Sequence, residues 1–404
     1  MHCAIIASVK LQLTKDKAIE LRLPRGAGAK SASDITGVEL FSSDPGGCPA
    51  VRLVFRKKAW HLAAAAKVKA PDGELPACWE DTPRQPSWEL PRDFLSPHAA
   101  LAVNSAMGAF AQSTADAVVQ EMATGVASVS EASAEEKSDS GKKRFGIKRA
   151  PGAPPAKPGA APAAPARRPP FPAAGEAVSE NGRRFVVRPM AEDGFHLCAS
   201  LPEFQTLWLS RLLPEGRRPT ASSIQVAESA LMASVLLQPE FRERDGNALA
   251  VFVTRNAVFF AGYRRGEPVL WRRCPSVGGS LAMRAAMRRT LGLDEELVDS
   301  VLDEALIDPR PALEPFVRPV LAQLELALAY LAGKHGLKFE RALLMGLGAG
   351  AAHWATYAEE SLHLRLVSPN PFEGLVRDRR VEVDGAEGYL VALGAAIAGA
   401  EVSL

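Results

Sequence analysis

The sequence predicts a mixed α/β fold in two lobes, and three observations predict it. Short apolar strand runs separated by turn residues occur twice, at TGVELF–SSDPGG–AVRLVF and at ALAVFV–TRN–AVFFAGY. Longer segments with helical spacing of apolar residues follow each group, so helices are layered on sheet. A proline–alanine stretch divides the chain into a smaller first part and a larger second part. With 404 residues, the chain is too long for one ordinary core and suits two or three domains.

Composition excludes several classes. Hydrophobic residues make up 47% and charged residues 23%, enough for most of the chain to fold. Lys plus Arg is 48 against 46 for Asp plus Glu, a formal charge of +2, so no basic surplus points to nucleic acid. The five cysteines, Cys3, Cys48, Cys78, Cys198 and Cys274, form no CxxC pair. A reducing compartment is expected, rather than a disulfide scaffold or a thiolate zinc site. The apolar run Ala4–Val9 is too short to span a bilayer and follows no basic leader, so a cytoplasmic protein is expected.

The elements follow in order. Residues 1–36 hold two strand candidates, AIIASVKLQL and KAIELRL, then a loop, and are read as an N-terminal extension. Residues 37–123 begin with a hairpin around SSDPGG. AWHLAAAAKV is either strand or helix, because alanine does not decide. HAALAVNS is a buried strand and ADAVVQEMA a helix. Residues 124–180 are expected to be a disordered insertion: positions 151–180 alone carry nine prolines and ten alanines, which stop helices and offer little large apolar surface to bury.

Residues 181–246 read as a small subdomain, with RRFVVRPM a strand and LPEFQTLWLSRLLP a helix striped by Phe204, Leu207, Trp208 and Leu212. Residues 247–388 form the second lobe. Three strands are followed by a glycine loop and helix (SVGGSLAMRAAMRRTLG), a long helix over about Pro311–Gly333, and a strand–glycine turn–helix (ALLMGLGAGAAHWATYAEES). NPF, 370–372, is a rigid turn with Phe372 as a core anchor. Residues 389–404 close the chain as an alanine-rich helix.

Two glycine turns are candidate phosphate cradles. Gly346, Gly348 and Gly350 in MGLGAG, and Gly278 and Gly279 in SVGGS, each precede a helix whose first N–H groups lack partners. The alternative is a tight packing turn, since neither is a GxGxxG or a Walker motif. The seven histidines are scattered without metal spacing, and GxSxG is absent. No catalytic residue and no metal ligand is assigned.

The order of these segments resembles the PilM-like family of type IV pilus assembly proteins, related to FtsA. The likeness is carried by TGVELFSSDPGGCPAVRLV, GRRPTASSIQVAESALMASVL, ALAVFVTRNAVFFAGYRRGEPVLWRRCPSVGGS, PFVRPVLAQLELALAYLAGKHG, ALLMGLGAGAAHWATYAEESLHLRLVSPNPF and YLVALGAAIAG. It implies an actin-like ATPase (ribonuclease-H-like) fold, with two lobes around a central cleft and the C-terminal helix returning to the first lobe. It also implies a nucleotide site at Gly278, Gly279, Gly346, Gly348 and Gly350, with Arg255 near a phosphate.

The departures from the family pattern are specific. Glu39 stands where the family has aspartate and Phe41 where it has glycine, while Val253, Thr254 and Arg255 fill the second hairpin's Asp-x-Gly region. Groups that position phosphate-bound magnesium are missing. The expectation is therefore a scaffold without ATP hydrolysis, with no cofactor or weakly bound ATP or ADP.

By resemblance, the partner is a short N-terminal segment of a PilN-like inner-membrane protein, held by Phe185, Val187, Phe204 and Trp208. These four are otherwise core residues. The chain would then sit peripherally on the inner membrane of a pilus or type II secretion platform, with self-association as a further expectation and no span of its own. Two alternatives remain. One is a functional ATPase using Asp384, Glu325 or Glu39. The other is a sugar-kinase-like or other α/β protein.

Overall fold

The computed structural model describes residues 33–42, 46–81, 88–124, 177–190, 194–213, 219–244, 246–274, 277–295, 297–304, 308–378, 381, 383 and 385–402. The strand candidates of the N-terminal extension and most of the expected insertion, 125–176, lie outside the described residues.

The first sheet opens with β1 (Asp34–Leu40), β2 (Cys48–Arg56) and β3 (Ala59–Val68), an antiparallel meander. Tertiary pairing resolves the alanine-rich ambiguity: β3 is strand because β2 pairs with it from Cys48↔Val68 to Arg56↔Ala59. β4 (His98–Val103) lies parallel to β1.

A second, smaller sheet then interrupts the first. It comprises β5 (Ala109–Thr114), β6 (Ala177–Glu180), β7 (Arg183–Pro189) and β8 (Phe195–Pro202), in the order β5-β8-β7-β6. Helix α1 (Ala115–Thr124) covers it, packing Val118 and Met122 on Phe185, Val187 and Cys198. The small subdomain thus recruits β5, α1 and β6 from before residue 181, where the sequence placed its start. AFAQST is too polar to read as a strand and becomes one through pairing with β8. AVSE, inside the expected insertion, does so through β7.

The turn after β6 also ties down α1. Asn181, at φ 47°, donates its side-chain amide to the carbonyls of Met122 and Ala123. This satisfies the orphan acceptors of the helix end. It also brings the two ends of the 125–176 segment close together.

The chain returns through α2 (Glu203–Leu212) to β9 (Thr220–Val226), which completes the first sheet beside β4. α3 (Ala227–Ser234) and the one-turn α4 (Pro239–Glu243) lead to the second lobe. There β10 (Ala248–Val253), β11 (Val258–Arg264) and β12 (Glu267–Cys274) form an antiparallel meander. Next come α5 (Ser280–Leu291), α6 (Leu297–Glu304), α7 (Arg310–His335), β13 (Arg341–Met345), α8 (Ala351–Leu362) and β14 (Arg365–Val367). The sheet order is β12-β11-β10-β13-β14. The short β15 (Val376–Arg377) joins the first sheet beside β3, and α9 (Leu390–Val402) ends the chain.

All six residues of β10 are buried because both its faces are covered. Leu249, Val251 and Val253 face the core beneath α5–α8, whereas Ala250 and Phe252 join a core shared with α3, α9 and the first sheet. α7 is long and apolar enough to cross a membrane by length and composition. Its Leu313, Val317, Val320 and Leu324 face is nevertheless buried in the second lobe, as in a core helix.

α9 is held by backbone-to-backbone approach. A Cβ on Gly37 of β1 would lie 2.0 Å from the Ala392 carbonyl oxygen, and one on Gly394 would lie 1.8 Å from that of Ala230 in α3. Gln225 adds a buried hydrogen bond, donating to the Ala395 carbonyl at 3.2 Å. Gly394→Ala is therefore expected to destabilise the protein by about 2 kcal/mol or more, read as a lowered denaturation midpoint. Gly333→Ala, on α7 with nothing within 4 Å of the new methyl, should stabilise by about 0.5–1 kcal/mol. Replacing residues 125–176 with a flexible linker of about ten residues should leave thermal stability unchanged, because Asn181 already pins both flanks.

Candidate functional site

Three turns are candidates: two hairpin turns, one in each lobe, and one glycine turn, which packs on the second hairpin through Gly346 and the Val253 carbonyl. The first turn begins at Leu40, whose carbonyl accepts the Asn104 N–H at 3.1 Å. Phe41 follows with φ 57°, a left-handed conformation that costs a non-glycine residue about 1–2 kcal/mol. Its ring lies 5.9 Å from the buried Trp208 ring, a contact that offsets the strain. An aromatic side chain thus occupies the position where the family resemblance has glycine.

The second turn is closed by Thr254. Its N–H donates to the Ala257 carbonyl at 2.9 Å, and its Oγ1 accepts the Ala257 N–H at 3.1 Å. Gly279 packs directly on this turn: a Cβ there would stand 2.0 Å from the Thr254 oxygen. At the start of α5, Ser280 N–H donates to Thr254 O at 2.8 Å and Leu281 N–H to Arg255 O at 3.0 Å. The helix-start donors that would cradle an anion are taken by the protein's own carbonyls. Gly278 sits one residue earlier, where a Cβ would meet Ala282. Arg255 is half-buried, and its Nε has no partner among the described residues.

At the third turn the glycines do different work. Gly346, at φ 85°, lies over the Val253 carbonyl, and Gly350, at φ 86°, precedes α8 against Leu302. Gly348 alone leaves room for a methyl group, and the nearest atoms there are the Glu387 carboxylate, 3.6 Å from the would-be Cβ. Sequence reasoning missed Glu387, which sits just before the apolar closing helix. A carboxylate over this turn opposes a phosphate.

The two described alternative carboxylates sit on separate elements, Glu325 on α7 and Glu39 on β1. Glu325 is on the exposed side of α7, Glu39 is half-buried near Cys48, and Asp384 lies outside the described residues. Among the described residues, no group of three or more His, Cys, Asp or Glu side chains could hold a metal. Burial, then the Glu121 charge, push the Cys198 thiol up to about 12, away from a poised nucleophile.

The four expected partner-binding residues need correction. Phe185, Val187 and Trp208 are fully buried and Phe204 is 9% exposed. Phe185 and Val187 face α1, and Trp208 sits in the first-lobe core. The apolar spacing that suggested a groove is the inward stripe of core elements. Only Phe204 reaches an edge, where its ring meets Trp79 at 5.8 Å. Trp79 is 52% exposed and Met107 40%. Gln205 joins this patch by donating to the Pro76 carbonyl at 2.9 Å and accepting from Ser105. Neither Trp79 nor Met107 carried a periodic signal, because both lie in irregular chain.

Phe372 behaves as expected: it is buried, its N–H is held by Asn370 Oδ1 at 2.9 Å, and its ring lies 6.1 Å from Tyr389.

No family model matches the sequence, and no curated protein matches it. Solved structures do. A "PilM-PilN type IV pilus biogenesis complex" is similar at TM-score 0.51 and 14% identity, over 91% of this chain and 98% of that one. A Bacteroides thetaiotaomicron protein with an actin-like ATPase fold and unknown function is similar at TM-score 0.36 and 10% identity, over 85% and 95%. The ethanolamine utilization protein EutJ from Carboxydothermus hydrogenoformans is similar at TM-score 0.28 and 12% identity, over 45% and 56%. The chain has a mixed α/β fold, and that fold is similar to the pilus-complex structure.

The contacts separate packing glycines from open ones. Gly279→Ala should destabilise by about 2 kcal/mol or more, whereas Gly348→Ala should stay within about 0.5 kcal/mol of the parent, both read by chemical denaturation.

Proposed function

We propose that this chain is an actin-like scaffold without ATP hydrolysis. In this reading it binds a short cytoplasmic segment of a PilN-like membrane protein at a pilus or related secretion platform. The observation that carries the reading is the state of the cleft. The Thr254 and Arg255 carbonyls take the donors at the start of α5, Phe41 fills the first turn and Glu387 covers the third. Phosphoryl transfer depends on positioning and charge stabilisation, and the taken donors at α5 and the carboxylate near the third turn both oppose a bound phosphate. The overall likeness to the pilus complex supports the same reading.

The partner surface in this proposal is Trp79, Met107 and the edge of Phe204. Exposed aromatic and methionine side chains are favoured anchors in interfaces. Glu80 and Asp81, both exposed beside Trp79, favour a segment that carries basic residues next to its apolar ones. A second reading, an ATP-binding member of the same fold, draws on the unpartnered Arg255 Nε.

Calorimetric titration with ATP separates the two. The scaffold reading expects no strengthening of binding by magnesium. Binding tighter than about 100 μM, or about −5.5 kcal/mol, that strengthens with magnesium would overturn it. For the partner, Trp79→Ala should weaken binding of a synthetic PilN-like N-terminal peptide roughly tenfold or more without lowering Tm. Unchanged peptide affinity would remove this patch from the proposal.

A further inference from the structure

The β2–β3 hairpin tip, Phe55-Arg56-Lys57-Lys58-Ala59-Trp60, is a surface unlike the rest of the first lobe. Arg56 pairs with Ala59 across a two-residue turn. Lys57 and Lys58 fill that turn at φ 51° and 64°, the double left-handed geometry of a type I′ turn. Asn-Gly is favoured there, and lysine is disfavoured at both positions. Nothing within the fold repays the choice: both lysines are exposed, and neither makes an ion pair or hydrogen bond among the described residues.

Beside them, Phe55 is 45% exposed, with its ring 5.2 Å from that of Trp60. The nearby acids are already engaged, which leaves the tip cationic. Asp378 pairs with Arg56 and also lies near His61, while Asp34 on β1 is held by Arg52. Arg377 is exposed on the adjacent β15.

We propose that this hairpin tip docks on an anionic lipid surface, with Phe55 entering the headgroup boundary and Lys57 and Lys58 reaching the phosphates. Charge complementarity selects the anionic partner. The exposed phenyl ring beside cationic residues selects a bilayer, because an aromatic body with snorkelling lysines suits an interface of apolar depth and charged surface. Two free lysines are too few to track a nucleic-acid backbone. The contact does not depend on the peptide-binding reading.

The full chain, without any partner, is sedimented with vesicles of phosphatidylcholine alone or mixed with phosphatidylglycerol. Salt-sensitive binding to the mixed vesicles only is expected. K57E/K58E should lower partitioning roughly tenfold or more, and Phe55→Ser should lower it severalfold at all salt concentrations. K57N/K58G installs a favoured turn, so it should raise Tm while losing vesicle binding, which separates docking from folding. No binding of the parent chain to anionic vesicles, or undiminished binding by K57N/K58G, overturns the proposal. So does a mobility shift of duplex DNA without vesicle binding.

Discussion

The close approach of α9 to both its neighbours is the constraint on which the rest of the structure depends. The helix lies between Gly37 of the first sheet and Ala230 of α3, at distances that admit no side chain on Gly37 or Gly394. Such packing trades side-chain area for backbone proximity, so a single methyl group is felt in full. The same helix begins beside the first glycine of the second lobe's glycine turn. Leu390 touches Gly346, and Tyr389 packs on Phe372. The helix therefore joins the first sheet to α3, and the turn that precedes it places Glu387 near the third turn.

The lobes consequently share a core rather than merely facing each other. Ile35, Val51 and Leu53 from the first sheet and Phe252, Phe259 and Leu343 from the second belong to one buried cluster with α3 and α9. Polar ties reinforce it: Tyr263 donates to the Met232 carbonyl at 2.8 Å. The small subdomain is attached to the second lobe as well. Trp271 stacks on Phe259 at 5.0 Å and meets Phe110 edge-on at 5.1 Å, while its backbone N–H donates to Gln112 Oε1 at 2.9 Å. These contacts cover the edge of β12, which would otherwise present unpaired backbone groups.

A cleft built this way shows what each glycine is for. Gly279 and Gly346 permit backbone groups to touch backbone groups, and a ligand is not needed to account for either. Phe41 retains the left-handed backbone of a glycine turn while its ring packs against Trp208. Three exposed apolar residues, Trp79, Met107 and Phe55, lie on irregular chain or beside a hairpin turn, where packing does not dictate the side chain.

The α/β class, the second-lobe meander, the long α7 helix and the Phe372 anchor were legible in the sequence, because each rests on local periodicity or turn chemistry that one segment carries by itself. Tertiary structure alone decided the rest. β3 is a strand and AFAQST and AVSE are strands because partners distant in sequence offer them hydrogen bonds. Phe185, Val187 and Trp208 are core residues because α1 and the first sheet cover them. The glycine turns are filled because carbonyls from another hairpin and a carboxylate from just before the last helix arrive there. Periodicity records which face of an element is apolar. What covers that face depends on contacts between residues far apart in the chain, and these leave no local pattern.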